Sequence, residues 1–137
     1  MNTNIKTKLA ILLMTVASVF PVLGQEAPKA TVLVYRPASI VGSALKPSIY
    51  CDGKELQRLR NRTFFSASVE PGKHMITAGR SEVGQFVDFE PGKHYFIRFG
   101  HKNWVGTAVS GRQPITLTVV TEDEARSELH GLKDASR

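Results

Sequence analysis

Three histidines, one cysteine, a run of arginines and a single tryptophan are the residues of this chain best equipped for chemistry. His74 and His94 each close the string Glu-Pro-Gly-Lys-His, which occurs twice, and His101 follows soon after the second copy. Three imidazoles can hold zinc, and one alone can act as a general base. Neither repeated histidine has a second ligand at a usual metal spacing, however, and each stands beside a turn, where a solvated ring is the plainer reading. HExxH, CxxC and glycine-rich phosphate loops are absent, as is the GxSxG nucleophile elbow. Glu70 and Glu90 match each other, yet each begins a turn, where acceptor side chains cap the backbone. No catalytic residue, cofactor or metal site is therefore expected. The alternative is a metal-binding protein or hydrolase using His74, His94 and His101.

Arg58, Arg60 and Arg62 alternate, so on an extended segment they point one way and can hold phosphate or carboxylate groups. The blander reading is a charged edge that resists strand-to-strand aggregation. Trp104 lies in a glycine-bounded stretch and can stack on a sugar ring, as in a carbohydrate-binding module, or pack in the core. Arg58, Arg60, Arg62 and Trp104 form the candidate binding surface. Cys51 is the only cysteine, so no intramolecular disulfide forms. Alternation places it with Ile49 on one strand face, which reads as packing.

The elements that would position these groups are mostly strands. Thr31 to Arg36 is β-branched and aromatic and stops at Pro37. Ser48 to Cys51 and Lys54 to Leu59 flank Asp52-Gly53, a dipeptide suited to a two-residue hairpin. Thr63 to Val69 alternates, with Phe64 the exception on its polar face. In Glu70-Pro71-Gly72-Lys73 and Glu90-Pro91-Gly92-Lys93, proline presets the second turn position and glycine the third, the recipe of a type II turn. Strand-like runs on both sides of each turn predict an antiparallel meander. Ile115 to Thr121 reads as the last strand, and a short strand over Trp104 to Val109 is possible. Thr121-Glu122-Asp123-Glu124 is a capping box that opens a helix near 122–130, with Ala125, Leu129 and Leu132 on one face. The fold class is all-β and mainly antiparallel: a small β-sandwich or partly open barrel of about seven or eight short strands with one C-terminal helix.

The N-terminus speaks to compartment. Lys6 and Lys8 precede an uncharged, mostly apolar run from Leu9 to Phe20; Pro21 ends it, and Val22-Leu23-Gly24 offers small residues for cleavage. A spanning helix needs about 20 apolar residues, so residues 1–24 read as a signal peptide and no stable membrane span remains after cleavage. Gln25, not cysteine, stands first in the mature chain, so no lipid anchor is expected there. Residues 25–30 are a lead-in, and 31–134 form a single domain. Removing Lys6 and Lys8 lowers the formal charge of +6 to +4. That suits a protein near anionic envelope polymers, and it does not make a nucleic-acid binder.

Tyr35-Arg36-Pro37, the stretch Gly42 to Pro47, Ile49-Tyr50, Asp52-Gly53-Lys54 and Pro71-Gly72-Lys73-His74 together resemble a bacterial domain-of-unknown-function family with the pattern YRP…G…P.IY.DGK…PGKH. The resemblance spans about Val32 to Leu129. The D-G-K and P-G-K pieces are also similar to the PEGA domain, a small extracytoplasmic β-module. This resemblance implies a β-sandwich in the cell envelope and no catalytic residues. Many relatives are lipoproteins, and Gln25 departs from them.

The expected role is thus a non-catalytic periplasmic or secreted β-domain that holds an unidentified envelope protein or polymer. Processing is expected between Gly24 and Gln25. Intact mass of the exported protein checks this, and a washed membrane fraction retaining Met1 to Gly24 would overturn it.

Overall fold

Residues 24–40, 42–79, 84–101 and 115–136 are described in a computed structural model. Their strands are β1 (Ala30–Arg36), β2 (Ser48–Cys51), β3 (Lys54–Arg58), β4 (Thr63–Val69), β5 (Gly72–Ala78), β6 (Gly84–Phe89), β7 (His94–His101), β8 (Ile115–Val120) and β9 (Lys133–Asp134), with one helix, α1 (Glu122–Leu129). They form two sheets, ordered β8-β7-β1-β4-β9 and β3-β2-β5-β6. Residues 1–23 and Trp104, with its possible strand, lie outside the described residues. Among the described residues no helix is long and apolar enough to cross a membrane.

The two inner faces make one core. Val32 and Val34 of β1, Phe65 of β4, and Ile97 and Phe99 of β7 face Ile49 of β2, Ile76 and Ala78 of β5, and Val87 and Phe89 of β6. Burying each of the larger side chains contributes about 1.5–3 kcal/mol. The period-two alternation read along Thr63–Val69 holds, since Phe65 and Val69 are buried while Ser66 and Ser68 are exposed. Phe64, its exception, is half-buried in register between Tyr35 of β1 and Asp134 of β9. The chain after α1 returns to this edge, with Ala135 N–H donating to the Phe64 carbonyl at 2.8 Å.

The helix covers the outer face of the larger sheet. Its Ala125 is fully buried. The hydroxyl of Tyr35 donates to Glu128 Oε2 at 2.6 Å, and Arg98 Nη1 donates to Glu128 Oε1 at 2.8 Å and Glu124 Oε1 at 3.0 Å. Thr121 caps α1 by accepting from the Glu124 amide at 3.3 Å. The carboxylate of Glu124, expected to reach back to the cap, goes to Arg98 instead. A guanidinium across the sheet is the stronger partner for a carboxylate.

The expected meander is corrected. The first Pro-Gly turn carries the chain from β4 in one sheet to β5 in the other, and the second returns it from β6 to β7. β1 then fills the slot between β4 and β7, antiparallel to one and parallel to the other. The two turns also differ. At the second, Gly92 has φ +71 and Lys93 N–H reaches the Glu90 carbonyl at 3.3 Å, as a type II turn requires. At the first, Gly72 has φ +122 and is already paired with Phe89 in the ladder, so this corner is not a type II turn.

The lead-in ties both corners down. Lys29 pairs with Glu70 at 2.6 Å, Gly92 N–H donates to the Pro28 carbonyl at 3.1 Å, and Thr31 N–H donates to that of Lys93 at 2.9 Å.

Both glycines hold a φ that L-residues rarely adopt. Gly72→Val and Gly92→Val are each expected to cost about 1–3 kcal/mol, read as a lower denaturant midpoint. Unchanged midpoints for both would show that neither corner depends on its backbone angle.

Candidate functional site

The register of β2 and β5 decides where the chemistry gathers. Cys51 pairs with Ile76, so the hairpin turn just beyond Cys51 lies against the start of β5. Asp52 and Gly53 have φ +49 and +81, the type I′ hairpin that this dipeptide favours. Asp52 N–H donates to the Met75 carbonyl at 2.9 Å, and Met75 N–H returns to Asp52 Oδ1 at 2.9 Å. The second carboxylate oxygen lies 2.5 Å from His74 Nδ1. Cys51, one residue back, places its thiol in the same cluster: one ligand atom each from Cys51, Asp52 and His74 all lie within 4.8 Å of one another.

Each member of the cluster is polarised by the others. Asp52 is held below its ordinary range, first by the Met75 N–H and then by His74. His74 is raised, chiefly by its bond to Asp52. Burial, reinforced by the Asp52 charge, pushes the Cys51 thiol up. The outer nitrogen of His74, Nε2, is buried without a hydrogen-bond partner, and the ring leans on Phe89 at 5.9 Å.

The three histidines do not come together. His74 is the third residue of β5 and His94 the first of β7, so both lie toward the corner end of the sandwich, but His94 is exposed in the other sheet. His101 ends β7, about 23 Å along the same strand from His94 at 3.3 Å per residue. There it packs edge-on against Phe99, with burial and the nearby Arg36 lowering its pKa. A shared site of His74, His94 and His101 is thus ruled out by their placement.

Nor do the three arginines share one face. β3 stops at Arg58, and Arg62 sits in a turn with φ +59. The intervening Leu59 is fully buried, with its N–H on the Pro47 carbonyl at 2.8 Å. A bend here is required because the chain must leave one sheet for the other. Arg58 and Arg60 still converge: with Glu55, Leu56, Gln57 and Ala135 they line an open groove of about 560 Å³ between the β3 edge and the C-terminal segment.

Two groups that bear on function escape sequence reasoning. Asp52 reads only as a turn residue, because its pairing with His74 across 22 positions depends on strand register. Arg36 reads only as a strand end. It is 1% exposed and donates to the carbonyls of Leu45 at 2.9 Å and Gly42 at 2.6 Å. The alternation of β1, which turns Val32 and Val34 inward, is the signal that would have placed it.

The fold is therefore a two-sheet β-sandwich with one helix on its outer face. The profile of a family of proteins of unknown function (DUF2846) matches residues 26–112, and the chain belongs to that family. The match takes in β1 to β7, hence the whole of the Cys51–Asp52–His74 cluster. Comparison with curated proteins and with solved structures finds no match.

The Asp52–His74 pair makes stability depend on pH. His74 is raised above its ordinary 6.5, so its contribution is full below that value and is lost as pH rises through the folded pKa. Asp52 is lowered from 3.8, so its contribution is present above that value and is lost as pH falls through the folded pKa. Asp52→Asn keeps the turn and removes the charge. The stability gap between wild type and Asp52→Asn is expected to be widest between those two values and to narrow in alkali. A gap that stays constant from acid through to alkali would show that the ion pair contributes nothing.

Proposed function

We propose that the protein is an exported, non-catalytic β-domain of the cell envelope that holds a partner bearing carboxylate or phosphate groups, an envelope protein or polymer. The observation that carries this reading is the groove where Arg58 and Arg60 converge beside the edge strand β3. Arg58 is weakly engaged, 3.7 Å from Glu55 with its side chain 74% exposed, so its guanidinium is free to accept an anion. Guanidinium forks suit planar carboxylates and phosphates.

A non-catalytic role is supported at the other cluster. A general base must reach the proton it takes, whereas His74 Nε2 is sealed from solvent and burial pushes the neighbouring thiol up. Export rests on the signal-like Lys6 to Gly24 segment, and the envelope setting rests on the family resemblance.

In-cell crosslinking of wild type and the double variant Arg58→Glu, Arg60→Glu tests the reading. Loss of charge-assisted bonds of about 1.5–3 kcal/mol each is expected to lower capture by roughly tenfold or more. Equal capture by both proteins would remove the groove from consideration, and no captured species at all would overturn the binding role.

A further inference from the structure

We propose that Cys51, Asp52 and His74 form a transition-metal site, with zinc the best-matched ion. The hairpin turn after β2 and the first Glu-Pro-Gly-Lys-His corner are brought together by the β2–β5 ladder, and each delivers ligands of a different kind: a thiolate and a carboxylate from one, an imidazole from the other. Mixed sulfur, nitrogen and oxygen donors are what zinc takes, and thiolate disfavours magnesium and calcium.

The spacing is close to what an ion needs. Bonds of about 2.0–2.3 Å in a tetrahedral site put ligand atoms roughly 3.3–3.6 Å apart. The three donor atoms already lie within 4.8 Å of one another, and the His74–Asp52 contact of 2.5 Å has to open by about 1 Å, which side-chain rotation supplies. Rigid backbone stands behind every ligand. Asp52 is fixed by two bonds to Met75, and Cys51 lies in the ladder opposite Ile76.

The nitrogen offered to the ion is Nδ1, which faces Asp52; Nε2, buried without a hydrogen-bond partner, is the other end of the ring. Entry is open on one side, because the Asp52 side chain is 53% exposed, and water or an external ligand completes the fourth position there. On binding, the thiol proton of Cys51 and any proton on the coordinating imidazole nitrogen are released to solvent. Placing the cation beside the corner end gives this face of the domain a ligand chemistry distinct from that of the arginine groove.

Cobalt(II), a spectroscopic stand-in for zinc, provides the test on the reduced protein. Titration is expected to produce a thiolate-to-cobalt charge-transfer band and the visible bands of a tetrahedral site, saturating at one ion per chain and bleached by zinc. Cys51→Ser is expected to abolish the charge-transfer band. His74→Gln and Asp52→Asn are expected to weaken binding at least about tenfold, the loss that even an outer-shell partner causes. His94→Ala, in the matching corner, is expected to bind normally. Circular dichroism separates lost binding from lost fold. Where a ligand variant fails to fold, protection of the wild-type thiol from alkylation by zinc reads the same site. No charge-transfer band with cobalt in large excess over folded wild-type protein would overturn the proposal, as would binding that depends on His94 rather than His74.

Discussion

Burying a guanidinium costs several kcal/mol unless its N–H groups find acceptors, and Arg36 imposes that condition on the end of the sandwich where β1 stops. Alternation leaves no choice: a strand that turns Val32 and Val34 into the core turns Arg36 inward two residues later. Among the described residues no carboxylate pairs with it, so its two Nη groups donate to the backbone carbonyls of Leu45 and Gly42, Nε is left without an acceptor, and Phe99 lies under the guanidinium at 5.1 Å. The connection from β1 to β2 has to wrap back over the side chain to present those carbonyls. Close approach follows from this: a Cβ on Gly42 would stand 2.9 Å from His101 Nε2. The same connection is fastened from the turn between β3 and β4, where the Asn61 amide exchanges two bonds with the Ser39 backbone at 3.0 and 2.9 Å.

The two ends of the sandwich are built on different physics. One end is held by a buried cation and backbone carbonyls. At the other, two Pro-Gly corners switch the chain between sheets, and the lead-in bonds to both. Because β1 lies between β4 and β7, its first residues necessarily meet the end of β4 and the start of β7, which is why Pro28 and Lys29 reach the corners at all. A segment that reads as a passive lead-in thereby becomes the strap over that end.

Much of this was legible in the sequence, and the limit falls at a definite place. Strands that alternate over their own length, such as Thr63–Val69, announce their inward faces, and Asp52-Gly53 announces its hairpin, because both signals are local. Thr121 and the acids after it announce α1 for the same reason. Sheet partnership is not local. Two copies of one corner motif look like two hairpins until the core requires each to cross between layers. The Arg58–Arg62 alternation suggests one face until Leu59 has to be buried at the crossing. Asp52 meets His74 only through the register of strands that are distant in sequence.

The consequence for function is that one hairpin carries both chemistries. β2 and β3 present Cys51 and Asp52 at the turn and Arg58 at the far end of β3, about 20 Å away at 3.3 Å per residue. The larger sheet carries α1 on its outer side through Tyr35 and Arg98, and leaves Ser66, Ser68, Thr118 and Val119 exposed. The smaller sheet keeps Lys73, Phe86 and Asp88 exposed along its outer face and edge. The β3-β2-β5-β6 side carries soft and acidic donors at one end of the hairpin and guanidinium at the other, and strand geometry sets the spacing between them.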